Sequence, residues 1–322
     1  MKSDPVISSC FHVVARSTDL PEGGTLSVKA CGEDILIWRS NSIVHAWKDL
    51  CIHRGARLSL GSVHDSTLTC AYHGWTYDEQ GKCIRIPAHP EQEPPSKARA
   101  EVFHAEERFG LIWVCTGTPA RKIPDFPEWK TAGYRMIHCG PYHVRASAPR
   151  VVENFLDVAH LPFVHEGLLG DRMHANIDDY DVSISEDGIT ASGVRIWQPN
   201  PDGTGVASEV IYTYRVFTPF TCYFVKESSS RGFAIYCSVT PIDTVSSAMW
   251  MIIAMNYGHE TADNQIREFE DRVVAQDISI VESQRPEFLP LDLQAELHLR
   301  SDKTAIAYRK WLGQLGLTFG TA

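Results

Sequence analysis

The sequence predicts an α+β chain in two parts: a small antiparallel β domain, then a domain in which helices accompany an antiparallel sheet. Three observations carry this. The first third reads as short β-branched and aromatic runs separated by turn residues. The segment TPARKIPDFPEWKTAGY, Thr118 to Tyr134, has prolines at 119, 124 and 127 that exclude a regular helix or central strand. Beyond it, a series of strand patterns ends in two helical ones. The expected boundaries are 1–118 for the first domain, 119–140 for a linker and 141–322 for the second domain.

In the first domain FHVVARS, TLSVKA, DILIWRS, SIVHAWKDL and GLIWVCTG read as strands, and TYDEQGKCIRI has hairpin turn residues at Glu79-Gln80-Gly81. The second domain opens with a strand, YHVRASA, and a helical pattern from about Arg150. Strands follow in DYDVSISEDGITASGVRIW, EVIYTYRVF, FTCYFVKE, GFAIYCSVT and SAMWMIIAMNY. A helix starting near Thr261 repeats Ile266, Phe269, Val273 and Val274 on one face. The last helix starts at Ser301, a good N-cap residue, and stops at Gly316.

Composition narrows the function. A net charge of −10 with no basic run is unsuited to nucleic acid or an anionic membrane. MKSDPVISSC lacks an apolar signal core, and MWMIIAM from Met249 is too short to span a bilayer, so a cytoplasmic protein is expected. Nine cysteines form no even disulfide framework. Cys10, Cys31, Cys83, Cys115, Cys139, Cys222 and Cys237 are scattered, as small buried hydrophobes are.

Cys51 and Cys70 differ, because each has a histidine at ligand spacing. CIHRGARLSLGSVHDSTLTCAYHGW reduces to Cys51-x-His53, sixteen residues, then Cys70-x-x-His73. A structural zinc site usually pairs cysteine with cysteine and histidine with histidine in its two hooks. Here each loop offers one sulfur and one nitrogen, which suits two unlike metal centres, as in a Rieske [2Fe–2S] cluster. Zinc remains the alternative. Gly74 leaves room for backbone N–H groups to approach sulfur.

A second constellation lies in ENFLDVAHLPFVHEG, Glu153 to Gly167: Asn154-x-x-Asp157-x-x-His160, four residues, then His165. Asp157 and His160 would share a helix face, while His165 would point about 140° away on a straight helix. Pro162 is expected to break the helix and let both imidazoles converge. Two histidines and a carboxylate form the facial triad of non-haem Fe(II) oxygenases. Candidates for the carboxylate are Asp271, Asp277, Asp292 and Asp302. Asp302 also suits an ordinary first helical turn.

CIHRGARLSLG and CAYHGW resemble the Rieske signature of the ring-hydroxylating oxygenases and related demethylases, with Ile52 and Ala71 where that family commonly has proline. ENFLDVAHLPFVHEG resembles the same family's Asn-x₂-Asp-x₂-His-x₄-His motif at every fixed position, and SDKTAIAYRKWLGQLG resembles its final helix. The resemblance implies a Rieske domain followed by a helix-grip-like sheet domain carrying a mononuclear iron. It places one cluster iron on Cys51 and Cys70 and the other on His53 and His73. It assigns mononuclear Fe(II) to His160, His165 and Asp302, with Asp292 as the fallback. Asn154 and Asp157 take the catalytic positions, Asp157 linking a ligand histidine to His73 of the next chain in a head-to-tail homotrimer.

The branch resembled contains vanillate-type O-demethylases, phenoxybenzoate dioxygenases and saxitoxin-pathway hydroxylases. The implied function is the terminal oxygenase component of a multicomponent system. It would use O₂ to hydroxylate or oxidatively demethylate an aromatic or polycyclic small molecule, with ring cis-dihydroxylation as the alternative. No dinucleotide fingerprint is present, since GTGVAS at Gly203 falls in an expected hairpin turn. Electrons are therefore expected from NAD(P)H through a separate reductase, with or without a ferredoxin. Two other classes remain open, a Rieske-type electron carrier and a zinc-stabilised binding protein.

Overall fold

The computed structural model describes residues 4–227 and 231–322, in two compact units, Met1–Ile123 and Pro124–Ala322. No helix among the described residues is long and apolar enough to cross a membrane.

The first unit begins with a short helix α1 (Pro5–Ser8), capped by the Asp4 carboxylate. Its strands are β1 (His12–Arg16), β2 (Thr25–Ala30), β3 (Glu33–Ser40), β4 (Ile43–Lys48), β5 (Ser62–His64), β6 (Thr67–Thr69), β7 (Thr76–Asp78), β8 (Cys83–Arg85), β9 (Val102–Arg108) and β10 (Leu111–Cys115). Six form one antiparallel sheet in the order β1-β10-β9-β4-β3-β2, and four form a second in the order β5-β6-β7-β8. β3 shows why the unit holds together. Successive strand residues face opposite sides, so Ile35 and Ile37 join one core cluster with Val14, Ala46 and Ile112. Leu36 and Trp38 join another with Trp47, Leu58, Leu68 and Tyr77, and this second cluster includes Cys51 and Cys70.

The second unit is built on a seven-stranded antiparallel sheet: β11 (Arg135–Val144), β12 (Asp181–Ser185), β13 (Gly188–Gln198), β14 (Ser208–Thr218), β15 (Thr221–Glu227), β16 (Phe233–Pro241) and β17 (Ser247–Met255). The spatial order is β11-β17-β16-β15-β14-β13-β12. Its helices are α2 (Ala148–Leu156), α3 (Leu161–Val164), α4 (Asp263–Val281) and α5 (Lys303–Leu315). α5 ends at Gly316, whose φ of 77° is the left-handed C-cap conformation expected there. α4 packs on β11 and α2 on α4, α5 and the sheet, the helix-grip arrangement.

Two expectations shift. Part of the segment 119–140 is built into the second unit: β11 starts at Arg135 and pairs with β17 from Arg135↔Met255 to Cys139↔Met251. Pro141 is tolerated because it sits at an irregularity between Cys139 and Tyr142, where the ladder lapses. The proline-rich stretch is itself anchored, with Tyr223 donating to the buried Glu128 carboxylate at 2.7 Å. The second shift concerns the helix break. α2 ends at Leu156, and Asp157 is already extended (φ −77°, ψ 126°). Pro162 then lies in the first turn of α3, where its missing N–H costs nothing.

Candidate active site: two metal-binding constellations

The loops Cys51–Ala56 and Cys70–Trp75 have the same local fold. In each, the cysteine N–H donates to the carbonyl five residues on, at 2.7 Å (Ala56) and 2.9 Å (Trp75). The N–H of a glycine four residues on donates back to the cysteine carbonyl, from Gly55 at 2.8 Å and Gly74 at 3.1 Å. Both glycines are left-handed, with φ of 70° and 68°. Gly55, unremarked in the sequence, is thus the counterpart of Gly74. The second loop joins β6 to β7, which pair at Thr69↔Thr76.

These turns send unlike ligands to different sides. Cys51 and Cys70 are buried, and the Tyr77 hydroxyl lies 3.2 Å from Cys51 Sγ. Burial pushes the Cys70 thiol up, while the backbone N–H groups of Tyr72 and His73 donate to its sulfur and work the other way. His73 is exposed and His53 half-buried, with ring centroids 4.5 Å apart at 64°. Trp75 stacks on His53 at 4.5 Å and 7°. His53 Nδ1 is buried with no hydrogen-bond partner among the described residues. Sulfur beside sulfur and imidazole beside imidazole fit a cluster with one thiolate-held and one imidazole-held iron.

In the second unit the broken helix turns His160 and His165 toward each other, their Nε2 atoms 3.2 Å apart. The carboxylate that meets them is Asp277, on α4. Its Oδ1 lies 3.3 Å from His160 Nε2 and 3.0 Å from His165 Nε2. Ligand atoms at right angles around an ion with bonds of about 2.1 Å are about 3.0 Å apart, so the triangle fits one face of a divalent metal. Beyond these two imidazole contacts, Asp277 Oδ1 is buried and makes no hydrogen bond among the described residues, as suits a ligand oxygen. Among the described residues this is the single group of three or more such side chains close enough to hold an ion.

Asp302, the expected third ligand, is not part of it. Its Oδ2 accepts from Leu299 N–H at 2.7 Å and its Oδ1 from Ser301 Oγ at 3.1 Å, at the start of α5. The helix-terminus role accounts for this aspartate. Asp292 instead accepts from Gln294 N–H at 2.9 Å, and Asp271 from Tyr142 Oη at 2.6 Å. A signal for Asp277 was present: residues 266, 273 and 277 follow one face of α4, so a carboxylate stands where the apolar stripe calls for a hydrophobe.

The flanking groups orient the imidazoles. Gln276 Oε1 accepts from His165 Nδ1 at 2.9 Å, which leaves Nε2 free to ligate. Sequence reasoning missed Gln276. Asp157 Oδ2 lies 3.6 Å from His160 Nδ1, while its Oδ1 accepts from Ala159 N–H at 2.8 Å. Burial opposes protonation of His160, but Asp157 and Asp277 outweigh it and push its pKa up to about 9. Burial likewise opposes ionisation of Asp277, yet the two histidines hold its pKa below the usual range. A site this rich in negative charge favours a cation.

Asn154, Asp157, His160, His165 and Asp277 border a cavity of about 360 Å³ between the sheet, α2 and α4. Its other walls are aromatic and aliphatic, including Phe155, Tyr212, Tyr214, Phe224 and Met251. Lys226 and Glu270 are the charged side chains lining it away from the triangle.

Comparison with known proteins agrees with this geometry. Residues 10–103 match the Rieske [2Fe-2S] domain, and residues 144–318 the vanillate O-demethylase oxygenase C-terminal domain. Methylxanthine N1-demethylase NdmA of Pseudomonas putida is 32% identical over 319 residues, covering 95% of this chain and 88% of that protein. A solved structure of P. putida NdmA with caffeine superposes with a TM-score of 0.84 at 31% identity, covering 96% of this chain and 91% of that one. Oxidoreductase NdmD of P. putida is 41% identical over 108 residues, 33% of this chain and 18% of that protein. The chain therefore belongs to the Rieske non-haem iron oxygenases, as an oxygenase component whose cofactors are a [2Fe–2S] cluster and a mononuclear iron.

Proposed function

We propose that this oxygenase demethylates a planar aromatic or heteroaromatic substrate at an N- or O-bound methyl group. The methyl C–H bond is hydroxylated with one atom of O₂, two electrons and two protons, and the other oxygen atom leaves as water. The resulting hemiaminal or hemiacetal releases formaldehyde and the N–H or O–H product. The observation that carries this reading is the His160–His165–Asp277 triangle opening onto an apolar, aromatic-lined cavity. About 360 Å³ suits a mono- or bicyclic substrate, and flat aromatic walls select a flat one.

Cys51, Cys70, His53 and His73 hold the cluster in this reading, and His160, His165 and Asp277 the mononuclear iron. When bound, these groups supply single electrons and O₂ activation. The protein orients and protects: Gln276 fixes the tautomer of His165, the Asp157 carboxylate sets the charge beside His160 Nδ1, and the cavity walls exclude bulk water. Electrons come from NAD(P)H through a separate reductase, and the likeness of a third of this chain to part of NdmD suits such a partner. The exposure of both His73 and the Asp157 side chain supports a link between neighbouring chains, His73 of one to Asp157 and His160 of the next, in a homotrimer.

The test is turnover with NADH, a surrogate reductase and ¹⁸O₂ on caffeine, theobromine, vanillate and 7-methoxy-2-quinolone. Formaldehyde equal to the substrate consumed is expected from at least one compound. A cis-diol carrying two labelled oxygens, with no formaldehyde, establishes ring dihydroxylation instead.

A further inference from the structure

The far end of the cavity holds a carboxyl group with no protein partner among the described residues. Glu270 lies on α4 two turns before Asp277, and seven residues return a helix to within about 20° of the same direction. Both side chains therefore face the cavity, about 10 Å apart along the helix axis. Glu270 is 6% exposed and lines the cavity, yet makes no hydrogen bond or ion pair among the described residues. A carboxyl lining a cavity with no protein partner takes its hydrogen bonds from whatever occupies that cavity. Lys226, the cation that acts on it, is occupied elsewhere: its Nζ donates to the Pro201 carbonyl and sits 4.9 Å over the Phe233 ring.

The surroundings determine which form of the acid the substrate meets. Asp271 and Asp277 share its helix, and Cys139 and Tyr142 on β11, Tyr212 on β14 and Cys237 on β16 lie near enough to feel its charge. Lys226 from β15 is the one positive group in that set. Burial in such a place works against the ionised form and in favour of the neutral acid. Burial, the largest cause, together with Asp277 and Asp271, pushes its pKa up to about 7 despite Lys226. A neutral carboxyl presents one donor and one acceptor side by side. Its complement is an edge with an N–H next to a C=O, as in a lactam or cyclic imide.

We propose that Glu270 is a specificity-determining residue that reads a lactam-type N–H/C=O edge at the end of the substrate remote from the metal triangle. This deepens the demethylase reading by naming the second feature of its substrate: an unsubstituted ring amide opposite the methyl group under attack. Two hydrogen bonds to a buried, otherwise unpaired acid discriminate strongly, because a ligand without the N–H leaves the acid unsatisfied.

The test is anaerobic equilibrium binding to the metal-loaded protein, with no turnover, so that it is read separately from formaldehyde release. Two matched pairs serve as probes: theobromine against caffeine, and 7-methoxy-2-quinolone against its N-methyl derivative. In each pair one methyl replaces the ring N–H. Wild type is expected to prefer the N–H member of at least one pair by about tenfold to a hundredfold. Glu270→Gln, which keeps a donor beside an acceptor, should hold that preference within about threefold. Glu270→Leu should erase it while still binding the N-methyl member, which shows that the cavity is intact. No preference in either pair, whether both members bind or neither does, overturns the assignment. So does a Glu270→Gln variant that loses the preference as fully as Glu270→Leu. Preference without formaldehyde release leaves this inference standing and removes the demethylase reading.

Discussion

The two metal constellations are assembled on different length scales. The proposed cluster ligands come from two turns within 23 residues, Cys51 to His73, and each turn closes on its own backbone hydrogen bonds. The mononuclear triangle joins His160 and His165 to Asp277, more than a hundred residues on, and depends on how α4 packs against α2 and the sheet. A short-range site can be read from spacing. A long-range one yields only its local half.

This contrast can be broken in graded ways. Asp277→Asn should have the largest effect, a loss of about 10³-fold or more in turnover with about one iron lost per chain. The visible spectrum of the cluster should stay unchanged, and loss of the cluster bands would show that the two sites are not independent. Next comes Gln276→Leu, which frees the His165 ring. Fe(II) affinity in a competition assay should fall about tenfold to a hundredfold, with little change in melting temperature. Unchanged affinity would remove Gln276 from the site.

In the first unit, Gly74→Ala and Gly55→Ala each force alanine into a left-handed backbone, at about 1–2 kcal/mol. An added Cβ at Gly74 also meets Pro87 Cγ at 3.0 Å, whereas Gly55 faces open space. Denaturant unfolding, followed by bleaching of the cluster, should therefore rank Gly74→Ala as the more damaging. Equal effects would mean that the Pro87 contact adds nothing to the cost of the left-handed turn that both loops share. Smallest is Asp302→Asn, within about 1 kcal/mol in stability and with full iron content, because it touches only the start of α5. Loss of one iron from that variant would restore Asp302 as the ligand.

Most of the architecture was legible because strands and helices advertise themselves by period. TLSVKA coincides with β2, and the apolar face from Ile266 to Val274 lies within α4. The boundary region was harder. Three prolines suggested a bare linker, but the ladder between Arg135 and Cys139 depends on β17, more than a hundred residues away. The site divides in the same manner. His160 and His165 were recognisable from Asn154-x-x-Asp157-x-x-His160-x₄-His165, yet the break that brings them together falls after Leu156 rather than at Pro162. Among the acidic residues, similarity of the final helix favoured Asp302, which instead accepts the Leu299 N–H within its own turn.

Residue types and short spacings by themselves determined two loops that each pair a thiolate with an imidazole, a His–His pair beside a helix break, and the membership that follows from them. Such features need only a few consecutive dihedral angles, which neighbouring side chains and glycines dictate. Tertiary structure alone decided which aspartate closes the triangle and that an unpaired glutamate shares its cavity. Several helical carboxylates were chemically equal candidates. The choice among them rests on which face α4 turns toward the sheet, and that is set by burial of Val273 and Val274 against residues distant in the chain.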